Sequence, residues 1–225
     1  MSMIRSWILT TTAAFVVIGF GVSPISAQRA AGQAPAATGN TSTGIRLEVS
    51  EGSRALYRVR EQLAGISFPS DAVGATPDVT GALVIKPDGS IDSAQSKFTV
   101  DLRTLKSDQD QRDGFLRSPR GLNTEKFPTA EFVPRRAVGM PWPFPSQNPA
   151  QAGFQLIGDM TVYGMTSDAT WNIVATFNPQ LVAGRASTNF TFAKFGIPKP
   201  QLARLLSVDD TINLEFEFRF KRMPI

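Results

Sequence analysis

The C-terminal part of the chain carries the pattern that most restricts its fold. Residues 211–221 alternate between apolar and polar side chains without a break, and the apolar ones are Ile212, Leu214, Phe216, Phe218 and Phe220. Because successive side chains of a strand point to opposite faces, this period of two predicts a half-buried antiparallel strand. Burying these five side chains contributes roughly 10 kcal/mol, comparable with the whole net stability of a domain, so a one-residue slip of register is excluded.

Further short stretches show the same alternation. Between two of them, Pro87-Asp88-Gly89-Ser90 has the residues of a tight turn, which predicts a hairpin. About eight strands with turn signals between them predict an all-β fold, either a sandwich or a closed barrel. The additional stretches are residues 57–60, 79–86, 98–102, 131–133, 154–162, 169–177 and 185–192.

Two segments depart from the period of two and predict short helices. Ser107 precedes Asp110 by three residues, a pattern typical of a helix cap, and predicts a helix within residues 107–118. In residues 200–207, a proline at a suitable first position precedes leucines at helical spacing, which predicts a second short helix.

A proline-rich stretch at residues 140–149 predicts an extended loop. It contains Trp142 and Phe144, and two interpretations remain open. The two aromatic side chains could form an exposed docking patch for a partner. Alternatively, the loop could fold across the mouth of a barrel.

The N-terminus has the layout of a targeting segment. Arg5 precedes an uncharged, largely apolar stretch at residues 7–22, and small residues follow up to Ala27. This order predicts that residues 1–27 are a signal peptide, so the mature protein would be periplasmic or secreted and without a transmembrane span. An uncleaved membrane anchor is the alternative. Residues 28–44 are predicted to be a disordered linker and residues 45–222 a single barrel domain.

Composition excludes several classes of function. The chain has 23 Lys+Arg against 19 Asp+Glu, with the charges scattered, which is not the footprint of a nucleic-acid-binding protein. It has no histidine and no cysteine, which excludes Ser–His and Cys–His nucleophilic mechanisms and the usual zinc and copper sites. No cofactor or metal is therefore expected.

Paired carboxylates are the remaining candidates for catalysis. Asp108, Asp110 and Asp113 are close in sequence, as are Asp209 and Asp210. A general acid and base require environments that separate the pKa values of the two carboxyl groups, and neither cluster shows an apolar setting that would do so. We therefore expect a helix start and a turn at these positions, and a protein that is not an enzyme.

Several ordered motifs resemble those of the YceI-like family. The family has an Arg-Asp-x-His-Leu-Arg-Ser helix followed by Lys-Tyr/Phe-Pro-x-x-x-Phe, and the corresponding residues here are 111–118 and 123–132. Residues 157–166 are similar to its Gly-x-Leu-Thr-x-x-Gly-Val-Thr segment, and Phe195-Gly196 and Val208-Asp209-Asp210 are similar to its final motifs. The resemblance extends in the right order from about residue 45 to residue 221.

This resemblance implies an extended eight-stranded antiparallel, lipocalin-like barrel with an internal apolar tunnel and one or two short helices. Members of the family are typically exported and bind polyisoprenoid-type lipids. The expected function is therefore that of an exported, non-catalytic protein holding an apolar ligand, with polyisoprenoids among the candidates. A homodimer is left open.

Alternation and aromaticity together predict which side chains would line a ligand. The predicted ligand-binding residues are Tyr57, Phe98, Val100, Trp171, Ile173, Phe190, Phe192, Leu214, Phe216 and Phe218.

The alternative function is that of a structural or interaction module, in which the 16 phenylalanines fill a solid core and the loop with Trp142 and Phe144 docks a partner.

Overall fold

The computed structural model describes residues 43–145 and 150–225. The predicted signal peptide, and the predicted linker up to residue 42, lie outside the described residues. In the described part the strands are β1 Ile45–Val49, β2 Arg54–Leu63, β3 Ser70–Thr76, β4 Val79–Ile85, β5 Lys97–Asp101, β6 Lys106–Ser107, β7 Thr129–Val138, β8 Ala150–Val162, β9 Met165–Phe177, β10 Leu181–Thr191 and β11 Leu205–Pro224. The α-helix α1 spans Asp110–Arg117, and 3-10 helices span Leu102–Thr104 and Phe192–Phe195.

The strand segments of the described chain form eight barrel strands, three of which are interrupted. β1 pairs with β4 and β2 with β3, so β1–β2 and β3–β4 are two long neighbouring strands. The pairing passes from Glu48↔Ala82 to Ala55↔Thr76, and it therefore continues across the interruption with a shift of one residue. β5 and β6 are in the same way parts of one strand, since they pair with β4 and β3, respectively.

Pairing of the first strand with the last closes the barrel. The sheet runs β1-β4-β5-β7-β8-β9-β10-β11, and β11 pairs again with β1. β11 is long enough to serve both halves of the first strand: Leu205 to Glu217 pair with β2, and Phe220 to Pro224 pair with β1. The predicted closed, eight-stranded antiparallel barrel is confirmed, and closure leaves no long unpaired edge.

The register of β11 agrees with the alternation in its sequence. The apolar side chains at positions 212 to 220 face the barrel interior, whereas Glu215 and Glu217 form ion pairs on the outside with Arg58, Arg54 and Arg185. Inside, the ring of Phe218 stacks on that of Phe220 with centroids 4.6 Å apart. The predicted strand is thus confirmed, with ends beyond those that the alternation indicated.

The predicted hairpin and turn at residues 87–90 are also confirmed. β4 pairs with β5, Ser90 N donates to Asp88 Oδ1 at 2.9 Å, and Gly89 has a φ of 85°, in the left-handed region that glycine tolerates. The connection is longer than the turn itself, because β5 begins only at Lys97.

One of the two predicted helices forms. α1 lies within the predicted range, but Ser107 does not cap it: Gln109 is the N-cap residue and makes no side-chain cap hydrogen bond. Instead, Ser107 donates from both its backbone N and its Oγ to Asp113 Oδ1, at 2.9 and 2.7 Å. The capping interpretation with Asp110 was therefore wrong, although the helix was right.

The predicted helix at residues 200–207 is absent from the structure. Residues 197–204 contain no helix, and β11 already begins at Leu205, which pairs with Leu63 of β2. A single helical turn would satisfy few backbone groups, whereas pairing with β2 gives these groups partners along the sheet. Tertiary pairing therefore overrides the leucine spacing.

The proline-rich loop folds against one end of the barrel. Within its described part, residues 140–145, the ring of Phe144 lies 4.7 Å from that of Phe177, and the side chain of Phe144 is buried. Trp142 is half-buried, and its Nε1 donates to the carbonyl oxygen of Pro87 at 3.0 Å. The interpretation of Trp142 and Phe144 as an exposed docking patch is wrong, because these side chains complete the core.

Candidate functional site: an apolar cavity in the barrel

The half of the barrel next to α1 encloses a cavity of about 230 Å³. Its wall consists of inward-facing side chains of β2–β5 and β7–β11, and α1 and residues 197–205 contribute to its cover. The lining is almost entirely aliphatic and aromatic, because alternation along each strand places apolar side chains on the inner face. The alternative of a core that is solid throughout the barrel is therefore wrong, because this half is hollow.

The opposite half of the barrel is filled with side chains. Phe144 and Phe177 lie there with Ile45 and Ile85, and none of these four lines the cavity. Phe98 and Phe220, whose ring centroids are 5.6 Å apart, contact the cavity from this side. The barrel therefore contains a blind apolar pocket rather than a tunnel through its whole length.

The structure brings all the predicted ligand-binding residues to the wall of this cavity. Nine project from strands, whereas Phe192 belongs to the 3-10 helix that follows β10. Their contact with a ligand stays a prediction. The residues are Tyr57, Phe98, Val100, Trp171, Ile173, Phe190, Phe192, Leu214, Phe216 and Phe218.

Alternation along strands did not indicate the residues that cover the cavity. Phe115 and Leu116 contribute from α1, and Ile197, Pro200 and Leu202 from the segment before β11. None of them belongs to a strand, so a period of two cannot reveal them. The clustering of leucines near residue 202 is the one signal in the sequence, and its spacing predicts a helix instead of this cover.

A part-buried ion pair lies at the edge of the apolar lining. Arg112 Nη2 of α1 donates to Glu61 Oε1 of β2 at 2.7 Å, and the two side chains are 13% and 11% exposed. Arg112 also donates from Nη1 to Asp108 and to Ser107 Oγ. The guanidinium is therefore neutralised by two carboxylates, Glu61 and Asp108.

Tyr57 places a polar atom inside the apolar wall. Its hydroxyl is buried and has no hydrogen-bond partner. Burial raises the pKa of Tyr57 to about 12, and the nearby Arg112 opposes this shift only in part, so the phenol is neutral at physiological pH. The ring of Tyr57 lies directly over Gly74 of β3, where a Cβ would be only 2.3 Å from the ring. A larger residue at position 74 would therefore collide with Tyr57.

Trp171 supplies a second buried donor. Its indole packs against Phe132 with ring centroids 6.0 Å apart, and its Nε1 has no hydrogen-bond partner. Buried polar groups in proteins normally have partners, and an unpaired one is costly. Tyr57 Oη and Trp171 Nε1 are therefore two donors without a protein acceptor in residues that line the cavity, and both atoms are covered by the wall.

The carboxylates considered for catalysis do not converge on the cavity. Asp113 is held by Ser107, and Asp209 and Asp210 are exposed on β11. Glu61 lines the cavity, but its carboxylate is paired with Arg112. Among residues 43–145 and 150–225, no cluster of acidic side chains could hold a metal ion.

These features define the class of the protein: it is a small, closed antiparallel barrel with an apolar internal cavity, the architecture of lipocalin-like binding proteins. A family model, the YceI-like domain, matches residues 49–220. This match spans most of the chain, and the protein belongs to the YceI-like family. A comparison with curated proteins finds no match.

Solved structures share the fold at low sequence identity. BcnA from Burkholderia cenocepacia superposes with a TM-score of 0.56 at 13% identity, covering 74% of this chain and 95% of its own. A polyisoprenoid-binding domain from Saccharophagus degradans, implicated in plant cell wall breakdown, gives 0.57 at 11% identity, with 78% and 97% covered. The Campylobacter jejuni YceI protein gives 0.52 at 13% identity, with 71% and 90% covered. No helix in the described residues is long and apolar enough to cross a bilayer.

Proposed function

We propose that this protein is an exported lipid-binding protein that holds an apolar ligand in the barrel without chemically changing it. The observation that carries the proposal is the apolar cavity of about 230 Å³. Each buried CH₂ group of a ligand contributes about 0.8 kcal/mol, so an aliphatic chain can bind through apolar contact alone. Membership of the YceI-like family and the polyisoprenoid-binding relative favour a polyisoprenoid-type chain.

Two features of the lining favour a ligand with an uncharged polar group. Tyr57 Oη and Trp171 Nε1 are donors without an acceptor in the protein, so a small turn of either side chain toward the cavity would let an oxygen acceptor on the ligand satisfy it. Arg112 already serves Glu61 and Asp108, and a phosphate or carboxylate entering here would have to compete with both. An alcohol, ketone or ester therefore suits this site better than an anion.

Export rests on the sequence of residues 1–27, which lie outside the described residues. The proposal places the mature protein in the periplasm or outside the cell. The mass of the protein purified from its native host tests this directly. The mass of a chain that begins at residue 28 supports cleavage after Ala27, whereas the mass of the full chain would contradict it.

Native mass spectrometry of protein purified from a membrane-containing host tests the binding function. The proposal expects an adduct that organic extraction removes and that is identifiable as a lipid. The extracted protein is then titrated with the apolar dye N-phenyl-1-naphthylamine, whose fluorescence rises in an apolar site.

A matched pair of variants identifies the cavity as the site. Ala186 lines the cavity, and Ala186→Phe fills it, so dye and lipid binding should fall at least tenfold. Val174 on the adjacent strand is exposed on the outer surface, and Val174→Phe should bind as the natural chain does. Equal binding by all three proteins, or no lipid adduct on any, would refute the proposal.

A further inference from the structure

Exposed apolar residues concentrate on two segments of the described chain. Ile66 and Phe68 lie in the turn between β2 and β3, and Leu202 and Leu206 lie just before and within the start of β11. Phe68 is 79% exposed and Leu206 is 67% exposed. We refer to these four residues as the rim. The four exposed large apolar residues outside the rim, at positions 138, 165, 174 and 225, are scattered over other elements.

The two segments of the rim are joined by hydrogen bonds. Ala64 N donates to the carbonyl oxygen of Arg204 at 2.8 Å, and Leu63 pairs with Leu205. The turn that carries Ile66 and Phe68 is therefore held beside the segment that carries Leu202 and Leu206. The two segments of the rim are therefore neighbours on the surface of the barrel.

The rim borders the cavity. Pro200, Leu202 and Leu205 line the cavity, while the next residue, Leu206, points into solvent. One short segment thus forms the cover of the apolar interior and an exposed apolar surface. An apolar molecule leaving or entering past this segment would pass directly beside the rim.

The charges within the rim segments are all positive. Lys199 and Arg204 are exposed there, and Arg120 joins them by donating from Nη2 to the carbonyl oxygen of Gln201 at 3.3 Å. Residues 64–70 and 197–206 contain no aspartate or glutamate. The nearest acids along the chain are Asp71, which is paired with Arg58 and Arg60, Glu61, which is paired with Arg112, and the exposed Asp209 and Asp210.

We propose that the rim docks the barrel on an anionic lipid bilayer, with Phe68 and Leu206 inserted among the lipids and Lys199, Arg204 and Arg120 at the level of the head groups. Exposed apolar side chains flanked by basic ones are the chemistry that binds a protein peripherally to anionic membranes. Docking at this end places the covered side of the cavity against the bilayer, where an apolar ligand can transfer without crossing water.

The natural absence of cysteine makes a site-specific test possible. Single variants Leu206→Cys and Val174→Cys of the full chain are labelled with the environment-sensitive fluorophore NBD and mixed with vesicles. The vesicles are pure phosphatidylcholine or contain phosphatidylglycerol. The Leu206 label is expected to shift to the blue with anionic vesicles, whereas the label at the outward-facing Val174 is not. A local reporter is needed because residues 7–22 could bind vesicles by themselves.

The charges are tested by Lys199→Glu with Arg204→Glu in the labelled Leu206→Cys chain. Each basic residue near an anionic surface contributes about fivefold to the partition coefficient, so the lipid concentration that gives half of the shift at position 206 should rise about 25-fold in this variant. Lys97→Glu with Lys221→Glu, far from the rim, should partition like the parent.

Three results would overturn docking at the rim: equal shifts at positions 206 and 174, no shift at 206, or a shift at 206 that is as large with neutral vesicles as with anionic ones. A shift without vesicles that grows with protein concentration would show instead that a second copy covers the rim. Each outcome is separate from lipid storage, because dye binding in the cavity is measured without vesicles.

Discussion

Arg112 on α1 and Glu61 on β2 form an ion pair that fastens the helix over the cavity. Their N–O distance is 2.7 Å, and both side chains are nearly buried. On its other side Arg112 is held by Asp108, one turn earlier in the chain, whose side chain is 74% exposed. The pair therefore joins a local element to a strand that lies far from it in sequence.

Breaking this pair should destabilise the barrel. Glu61→Gln removes the less exposed of the two carboxylate charges that face Arg112, and we expect the free energy of unfolding to fall by about 2 kcal/mol. Urea denaturation measures the change. Asp108→Asn removes the exposed partner of the same guanidinium and should leave the denaturation midpoint unchanged within error. Equal losses in the two variants would contradict the importance of the buried partner.

Replacing Tyr57 with phenylalanine should separate stability from ligand binding. The hydroxyl has no partner, so Tyr57→Phe should be at least as stable as the natural chain in urea at pH 7. If an oxygen on the ligand accepts from this hydroxyl, the variant should bind farnesol several-fold more weakly. Competition of farnesol and farnesyl phosphate for the dye checks this, with farnesol preferred by the natural chain and the preference reduced in the variant.

The same tyrosine predicts a dependence on pH at the alkaline end. Burial raises its pKa from 10.0 to about 12, so the folded protein retains the proton more tightly than the unfolded chain. The contribution of the protonated Tyr57 phenol to the free energy of unfolding is therefore complete below pH 10. As the pH rises from 10 to 12, the free energy of unfolding should fall by about 2 kcal/mol. Denaturation across this range should show the loss, and Tyr57→Phe should remove that part of it. An identical pH profile in both proteins would contradict the assignment.

Glycines at two positions should respond oppositely to the same substitution. Gly114 is exposed in α1, and a Cβ there meets no atom within 4 Å, so Gly114→Ala should raise stability by about 0.5–1 kcal/mol. At Gly158 in β8, a Cβ would lie 2.1 Å from the carbonyl oxygen of Val133, and Gly158→Ala should destabilise the barrel. Thermal unfolding of the two variants measures both signs. A stabilised Gly158→Ala would contradict the close approach of β7 and β8.

Phe144 is expected to close the filled end of the barrel. It is 3% exposed, and its ring contacts Phe177, so Phe144→Ala should cost about 3 kcal/mol. Trp142→Phe removes the hydrogen bond to Pro87 and should cost about 1 kcal/mol. Val174→Ala, on the exposed face, is the control and should change stability by less than about 0.5 kcal/mol. If Phe144→Ala behaved like the control, the loop would not be part of the core.

The strands could be predicted because half-burial leaves a local trace in the sequence. Ile212 and Phe218 of β11 are buried and Glu217 is ion-paired on the outer surface, as the period of two required. The interruptions were not visible, because the break between β1 and β2 depends on how β11 is shared between them. Eight strands could thus be counted, but their division into segments could not.

The wall of the cavity could be predicted from local sequence, whereas its cover could not. Trp171 and Phe216 reach the cavity through strand alternation, which involves neighbours in sequence only. Leu202 reaches it because the start of β11 pairs with β2, and a local pattern cannot reveal this pairing between distant segments. The spacing of the leucines therefore suggested a helix that the sheet does not allow.

By itself, the sequence determined the side-chain faces of the strands, the absence of histidine and cysteine chemistry, and the apolar character of the interior. These properties are local, since each depends on the residue present and on its immediate neighbours. Only the tertiary structure decided that one end of the barrel is filled by Phe144 and the other left hollow, and that Glu61 meets Arg112. Such features arise from contacts between distant parts of the chain, where the packing of the whole barrel fixes which side chains meet.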